Sequence, residues 1–234
     1  MTSLVSIGEN IWVAEGGIVS FYGFPYPTRS VVVRLKDEQL WIWSPINLTD
    51  ELRREVIAIG SPTHLVSPNK LHHLYLQSWH KAFPRSKLWG PASTLRKRSD
   101  LSFEPPLRDA APSAWSDQID QCWVQGSFMM DEIVFFHQQS RTAILADLSE
   151  NLSLTWLRQH WRPWQRWLAR ASGIIEGKGY APHDWRSTFL RRKPLLAAKA
   201  TILSWNPSLV VMAHGDYQLH NGRKYLDRAF EWMN

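Results

Sequence analysis

The sequence has a single cysteine, no long apolar run and no basic, apolar leader at its start. With Cys122 alone, an internal disulfide and a zinc motif built on several cysteines are both excluded. No stretch reaches the roughly 18 unbroken apolar residues of a membrane helix; the best candidate, residues 200–215, contains Ser204, Asn206 and His214. We therefore expect a cytoplasmic protein with no signal peptide and no membrane partner.

What the sequence does contain fits a globular protein with a substantial core. Of its 234 residues, 44% are hydrophobic and 21% are charged, which is ordinary for a chain that buries apolar side chains. No internal repeat or low-complexity linker divides it, and the proline-rich stretch 103–116 is interpreted as a loop inside one fold. The prediction is one domain over residues 1–234.

The positive charge is concentrated in two segments. Residues 81–108 hold seven Lys/Arg against two Asp/Glu, and residues 158–199 hold ten against two, within a net charge of +6. Such segments can attract phosphates, nucleic acid or an acidic partner, but a solvated basic surface is the favoured interpretation. The 14 tryptophans suit a core, an interface or an apolar pocket.

The order of apolar patterns predicts an α/β fold. Short strands come first, and later strands alternate with helices, which is typical of sheets covered by helices on both sides. In the amphipathic region 155–171, Pro163 is expected in a first turn or at a kink. Residues 21–29 are interpreted as a loop that packs on the core or lies over a pocket, where Arg29 could reach an anion.

Three buried strands end in polar side chains that can bind metal or move protons. They are followed by Lys70-Leu71-His72-His73, by Asp147 and by His214. Rigid strand ends aim functional groups in α/β folds, and imidazole with carboxylate suits zinc, iron or manganese. Each residue also has a simple structural interpretation, as a hydrogen-bonded histidine or a loop cap.

At these junctions the sequence resembles the metallo-β-lactamase superfamily, and more closely its domain-of-unknown-function family 4336. The resemblance covers nearly the whole chain and implies a four-layer αββα sandwich. The stretches that carry it are Phe24-Pro25-Tyr26-Pro27-Thr28-Arg29, Leu40-Trp41-Ile42-Trp43-Ser44-Pro45, Pro68-Asn69-Lys70-Leu71-His72-His73, residues 132–148 and Ala213-His214-Gly215.

The resemblance also implies a reduced metal site. The superfamily signature His-x-His-x-Asp-His falls on Pro68, Lys70, His72 and His73, so that only His73 matches. A further superfamily histidine would fall near residues 125–127, where there is none. Asp147 and His214 match the bridging aspartate and the last histidine ligand.

The first hypothesis is a mononuclear metal-dependent hydrolase of unknown substrate. His73, Asp147 and His214 would hold one zinc, iron or manganese ion, Lys70 would bind an anionic substrate group, and His72 would act as general base. A second cation would be repelled by Lys70, so we expect one metal ion or none. The ligand is expected to be small and anionic.

Two alternative hypotheses assign the protein to other functional classes. In one, the protein is a non-catalytic descendant of the fold that binds a ligand or partner without metal, and Lys70 pairs with Asp147. In the other, the basic segments bind nucleic acid. The sequence leaves the substrate and the oligomeric state open.

Overall fold

The computed structural model describes residues 4–234 and contains two β-sheets. In the first sheet, the strands lie side by side in chain order, antiparallel from β1 to β4 and parallel from β4 to β6. Its six strands are β1 (Val5–Gly8), β2 (Ile11–Phe21), β3 (Phe24–Arg34), β4 (Gln39–Trp43), β5 (Ser61–Val66) and β6 (Lys87–Trp89).

The second sheet has four strands in the spatial order β10-β9-β8-β7. They are β7 (Ile119–Val124), β8 (Glu132–His137), β9 (Thr142–Leu145) and β10 (Leu209–Met212). β10 is parallel to β9, whereas the other two pairs are antiparallel. The last strand of the chain therefore lies beside a strand from its middle.

Eight α-helices are present in the described part of the chain. They are α1 (Asp50–Ile59), α2 (Leu76–Ala82), α3 (Ala92–Lys97), α4 (Leu154–His160), α5 (Pro163–Ser172), α6 (His183–Arg186), α7 (Arg192–Ser204) and α8 (Gly222–Ala229). Local chemistry sets several boundaries: the Thr49 hydroxyl accepts from Leu52 N at 3.1 Å, and Ser153 caps α4 in the same way. Pro163 occupies the first turn of α5, as the sequence predicted.

Side chains on the two faces of each sheet belong to different cores. In β4, Trp41 and Trp43 point into the core between the sheets, and Leu40 and Ile42 point to the core under α1 and α2. The outer face of the second sheet packs on α7 and α8. The order of layers is helix, sheet, sheet, helix, which confirms the predicted four-layer αββα sandwich.

The stretch 21–29 differs from its sequence interpretation. It is the tip of a long β2–β3 hairpin and not a loop. Pro25 and Pro27 are tolerated because this half of β3 pairs only with β2, whereas β4 pairs with residues 31–34. No helix among the described residues is long and apolar enough to cross a membrane.

Candidate metal centre

Three side chains meet where strands of both sheets end: His72, Asp147 and His214, called here the candidate centre. Each offers one ligand atom, and these atoms lie within 4.8 Å of one another. The parallel pairing of Met212 with Leu145 explains part of this convergence, because Asp147 and His214 each follow two residues later at the same sheet edge. His72 arrives from the turn after β5.

Both imidazoles present Nε2 to the same carboxylate. His72 Nε2 is 3.4 Å from Asp147 Oδ2, and His214 Nε2 is 3.4 Å from Asp147 Oδ1. The two rings lie 5.4 Å apart, centroid to centroid. The three groups therefore surround a common point with two nitrogens and one carboxylate.

The other ring nitrogens face away from the centre and are hydrogen-bonded. His214 Nδ1 donates to the Pro27 carbonyl at 2.7 Å, and His72 Nδ1 lies 2.8 Å from Ser44 Oγ. Because a carbonyl only accepts, Nδ1 of His214 carries a proton, and in the neutral ring Nε2 keeps its lone pair. This arrangement is usual for histidines that bind metal, and it fits the donor set.

Asn69 and Glu132 hold Asp147 in place. Asn69 Nδ2 donates to Asp147 Oδ2 at 2.8 Å, and its Oδ1 accepts from Leu71 N, so one side chain fixes both the aspartate and the turn that carries His72. Glu132 accepts from the backbone N–H of Asp147 at 2.8 Å and also from Ala146 N, Leu148 N and Asn69 Nδ2.

Buried carboxyl groups concentrate around the candidate centre. Burial raises the pKa of Asp147, but the charges and hydrogen bonds of His72 and His214 outweigh it and hold that pKa well below its usual range. Burial and the Asp147 charge raise the pKa of Glu132, and its N–H donors oppose the rise. Asp147 is thus held as a carboxylate between two imidazoles.

Tyr26 and Glu150 complete the surroundings. The Tyr26 ring packs 5.0 Å from the His214 ring, and its hydroxyl has no hydrogen bond to any described residue. Glu150 is buried with Oε2 unpartnered, and burial raises its pKa well above the usual value. The sequence did not single out Asn69, Glu132 or Glu150 as neighbours of the candidate centre, although an acidic residue in the apolar strand β8 was a usable signal.

One predicted metal ligand, His73, lies apart from the candidate centre. His73 was expected beside Asp147, but its Nδ1 lies 3.4 Å from Arg98 Nη1, because consecutive side chains of the turn point in different directions. Burial, followed by the charges of Lys97 and Arg98, lowers the pKa of His73 to about 4. The structure therefore groups His72, and not His73, with Asp147 and His214.

Lys70 and Arg29 also differ from expectation. Lys70 Nζ donates to the Met129 carbonyl at 2.6 Å and forms no ion pair with Asp147 in the described structure, so the predicted pair is absent. Arg29 is buried; its Nη1 donates to the Met212 and Gly215 carbonyls at 2.6 and 2.7 Å. It therefore braces the segment around His214, and its Nε pairs with Glu15 Oε1 at 2.8 Å.

Comparison with known proteins agrees with this fold. Residues 9–156 match the family described as a domain of unknown function, DUF4336. No curated protein sequence matches the chain. Among solved structures, a metallo-β-lactamase from Pontibacter korlensis has a TM-score of 0.65 at 12% identity, covering 100% of this chain and 99% of that one.

Two further metallo-β-lactamases are similar over nearly their full lengths. One, from Erythrobacter litoralis with β-mercaptoethanol in the active site, has a TM-score of 0.64 at 13% identity, covering 99% of this chain and 96% of that one. The other, from Hirschia baltica, has a TM-score of 0.63 at 11% identity, covering 99% and 97%. At such identities the likeness shows the fold alone. The chain belongs to the DUF4336 family and has the metallo-β-lactamase fold.

Proposed function

We propose that this protein binds one divalent metal ion through His72, Asp147 and His214 and hydrolyses a small anionic substrate. The observation that carries the proposal is the convergence of the three ligand atoms within 4.8 Å, with both Nδ1 atoms engaged outside the centre. We treat residues 1–234 as the single domain that holds this site.

The donor set favours a catalytic type of site over a purely structural one. Two imidazoles and one carboxylate are three protein ligands, which leave a position open in the four-coordinate geometry of zinc; iron and manganese accept the same donors. A second ion beside the first has little support, because Pro68 and Lys70 stand where the superfamily signature has histidines. His73, the one remaining match, lies beside Arg98.

The chain's own residues supply orientation, charge and a proton donor. A metal ion in this position would supply Lewis acidity, which activates water and polarises a carbonyl or phosphoryl oxygen. Asn69 and Glu132 fix the Asp147 carboxylate, and the Tyr26 hydroxyl can donate to a substrate oxygen. Lys70, on the turn that carries His72, provides positive charge for an anionic substrate. His72 is assigned as a ligand in this proposal and no longer as the general base.

Metal content of neighbouring variants tests the proposal. The wild type and the variants His72→Ala and His73→Ala are prepared without a tag, reconstituted with zinc, iron or manganese, and dialysed. Elemental analysis then measures the metal content of each. We expect about one equivalent in the wild type and in His73→Ala, and a loss of at least about tenfold in affinity in His72→Ala. If His72→Ala retained the metal ion and His73→Ala lost it, the ligand assignment would be contradicted.

Hydrolysis is tested separately on the reconstituted protein. Phosphoesters, carboxylate-bearing esters and lactams are screened with the metal-free protein and His72→Ala as controls. Activity that requires both the metal ion and His72 supports the proposed reaction. Binding of about one metal ion without metal-dependent hydrolysis of any of them would contradict the hydrolase assignment. A folded protein that binds no metal ion would favour the non-catalytic alternative, although the Lys70–Asp147 pair expected for it is absent.

A further inference from the structure

Helix α5 directs large apolar side chains away from the protein. Trp164, Trp167 and Leu168 are 54%, 66% and 40% exposed, whereas Gln165 and Ala169 are buried. At 100° per residue, the three exposed apolar side chains fall on one arc of the helix, opposite to the usual arrangement in which the apolar arc faces the core. Apart from an edge contact between Trp164 and Phe24, this side of α5 is exposed in the described structure.

The tip of the β2–β3 hairpin extends the same surface. Gln165 Nε2 donates to the Gly23 carbonyl at 3.1 Å, and the rings of Phe24 and Trp164 lie 5.6 Å apart, so the tip and the helix are fixed side by side. Phe21 and Tyr22, at the tip, are exposed as well. We call the resulting surface the aromatic face; it consists of Phe21, Tyr22, Trp164, Trp167 and Leu168.

Positive charge lies on the other side of α5 from the aromatic face. At 100° per residue, Arg162, Arg166 and Arg170 fall on an arc centred opposite the exposed apolar side chains, as in helices that lie at a bilayer surface. Residues 151–175 contain no Asp or Glu and four arginines: Arg158, Arg162, Arg166 and Arg170. None of the four forms an ion pair within the described structure. Clustered apolar side chains of this size mark an interaction site, and the charge selects an anionic partner.

From this chemistry we propose that the aromatic face docks on the surface of an anionic lipid bilayer. Trp and Tyr side chains favour the headgroup level of a bilayer, Leu168 and Phe21 suit the acyl boundary, and the arginines suit lipid phosphates. A nucleic acid would leave Leu168, beside the two tryptophans, without a favourable contact.

This mode of contact differs from the one that the sequence excluded. The expectation of no membrane partner came from the absence of a spanning segment, and no helix of the described structure could span a bilayer. A helix that lies in the interface requires only an exposed apolar arc and basic neighbours, and α5 has both. The proposal does not depend on metal binding or hydrolysis.

Vesicle flotation tests the docking of the full chain. Vesicles of phosphatidylcholine with phosphatidylglycerol are compared with phosphatidylcholine alone, at low and high salt. We expect binding to the anionic vesicles that weakens with salt and falls by about tenfold or more on neutral vesicles. The double variant Trp164→Ser/Trp167→Ser and the triple variant Arg158→Gln/Arg162→Gln/Arg170→Gln should each lose about tenfold or more in affinity.

Matched variants elsewhere on the surface control for composition. Phe128→Ser/Leu190→Ser removes two exposed apolar side chains, and Arg54→Gln/Arg85→Gln/Arg96→Gln removes three exposed arginines, all outside the aromatic face. Both should bind as the wild type does, and circular dichroism verifies that every variant is folded. No binding by the wild type, equal losses in the controls, binding of single-stranded DNA in place of vesicles, or a dimer that the tryptophan variant abolishes would each overturn the proposal.

Discussion

Asn69 Nδ2 lies 2.8 Å from Asp147 Oδ2, and this bond connects the turn after the fifth strand to the turn after the ninth. The same side chain accepts from Leu71 N, one residue before His72. Asn69 therefore acts as a positioning residue for two of the three proposed ligands, because its Nδ2 holds Asp147 and its Oδ1 holds the turn that carries His72.

Asn69→Ala should weaken metal binding by about 10- to 100-fold, because a ligand carboxylate without its outer hydrogen bond is poorly oriented. Chelator competition on the reconstituted protein measures the affinity. Gln121→Ala is a suitable control, since Gln121 is also buried and hydrogen-bonded but lies in the seventh strand. An unchanged affinity in Asn69→Ala would show that Asp147 is held by other contacts.

Replacing Glu132 by Gln should destabilise the metal-free protein by about 2–4 kcal/mol. The amide nitrogen would replace one of the two carboxylate oxygens and face either the backbone N–H of Ala146, which donates to Oε1, or those of Asp147 and Leu148, which donate to Oε2. Glu150→Gln is the matched change, and its cost should be below about 1 kcal/mol, because Oε2 of Glu150 has no partner to lose. Urea unfolding in the presence of a chelator measures the free energy of unfolding of both variants. Similar losses of stability in the two variants would contradict the prediction.

Gly215 should tolerate a side chain less well than Gly177. Both glycines have positive φ, 92° and 86°, but a Cβ at Gly215 would lie 2.2 Å from backbone atoms of Asn151, whereas Gly177 has open space. We expect Gly215→Ala to cost about 3 kcal/mol or more and Gly177→Ala about 1 kcal/mol. Thermal unfolding of the two variants decides this; equal shifts in Tm would contradict it.

The stability of the fold should fall as the pH falls from about 6.5 to 4. Burial, followed by the Lys87 charge, lowers the pKa of His64 to about 4, and burial does the same for His137. In this pH range the two histidines bind protons in the unfolded chain but stay neutral in the folded chain, so lowering the pH favours unfolding. His64→Gln should remove on the order of 2 kcal/mol of the pH dependence.

Unfolding in urea at a series of pH values measures this dependence. His220→Gln, a change at an exposed histidine, is the control and should leave the curve unchanged. A slope that His64→Gln does not reduce would show that His64 is protonated in the folded protein at these pH values.

The fold was predictable because its buried strands are short apolar runs with polar ends. The length of the β2–β3 hairpin was not, since Gly16, Gly17, Pro25 and Pro27 argue against strands wherever the pairing partner is unknown. Pro27 nevertheless orients His214 through its backbone carbonyl. Every residue has a backbone carbonyl, so the sequence does not indicate which carbonyl accepts such a hydrogen bond.

The candidate centre was predictable only to the level of strand ends. Asp147 and His214 follow directly from two buried strands, so their convergence is a property of the sheet. His72 and His73 belong to a turn, where no 2.0- or 3.6-residue period tells which side chain points inward. Ser44, with φ of 47°, and Asn69 settle the choice through contacts that are distant in sequence.

The proposed ligands come from the first third, the middle and the end of the chain. The site therefore has no local precursor: it is complete only after the tenth strand has paired with the ninth. Ion binding would then favour the fully assembled chain over every partly folded form. Contacts between residues far apart in sequence form slowly. The time at which a refolding chain takes up the metal ion would therefore report when these long-range contacts form.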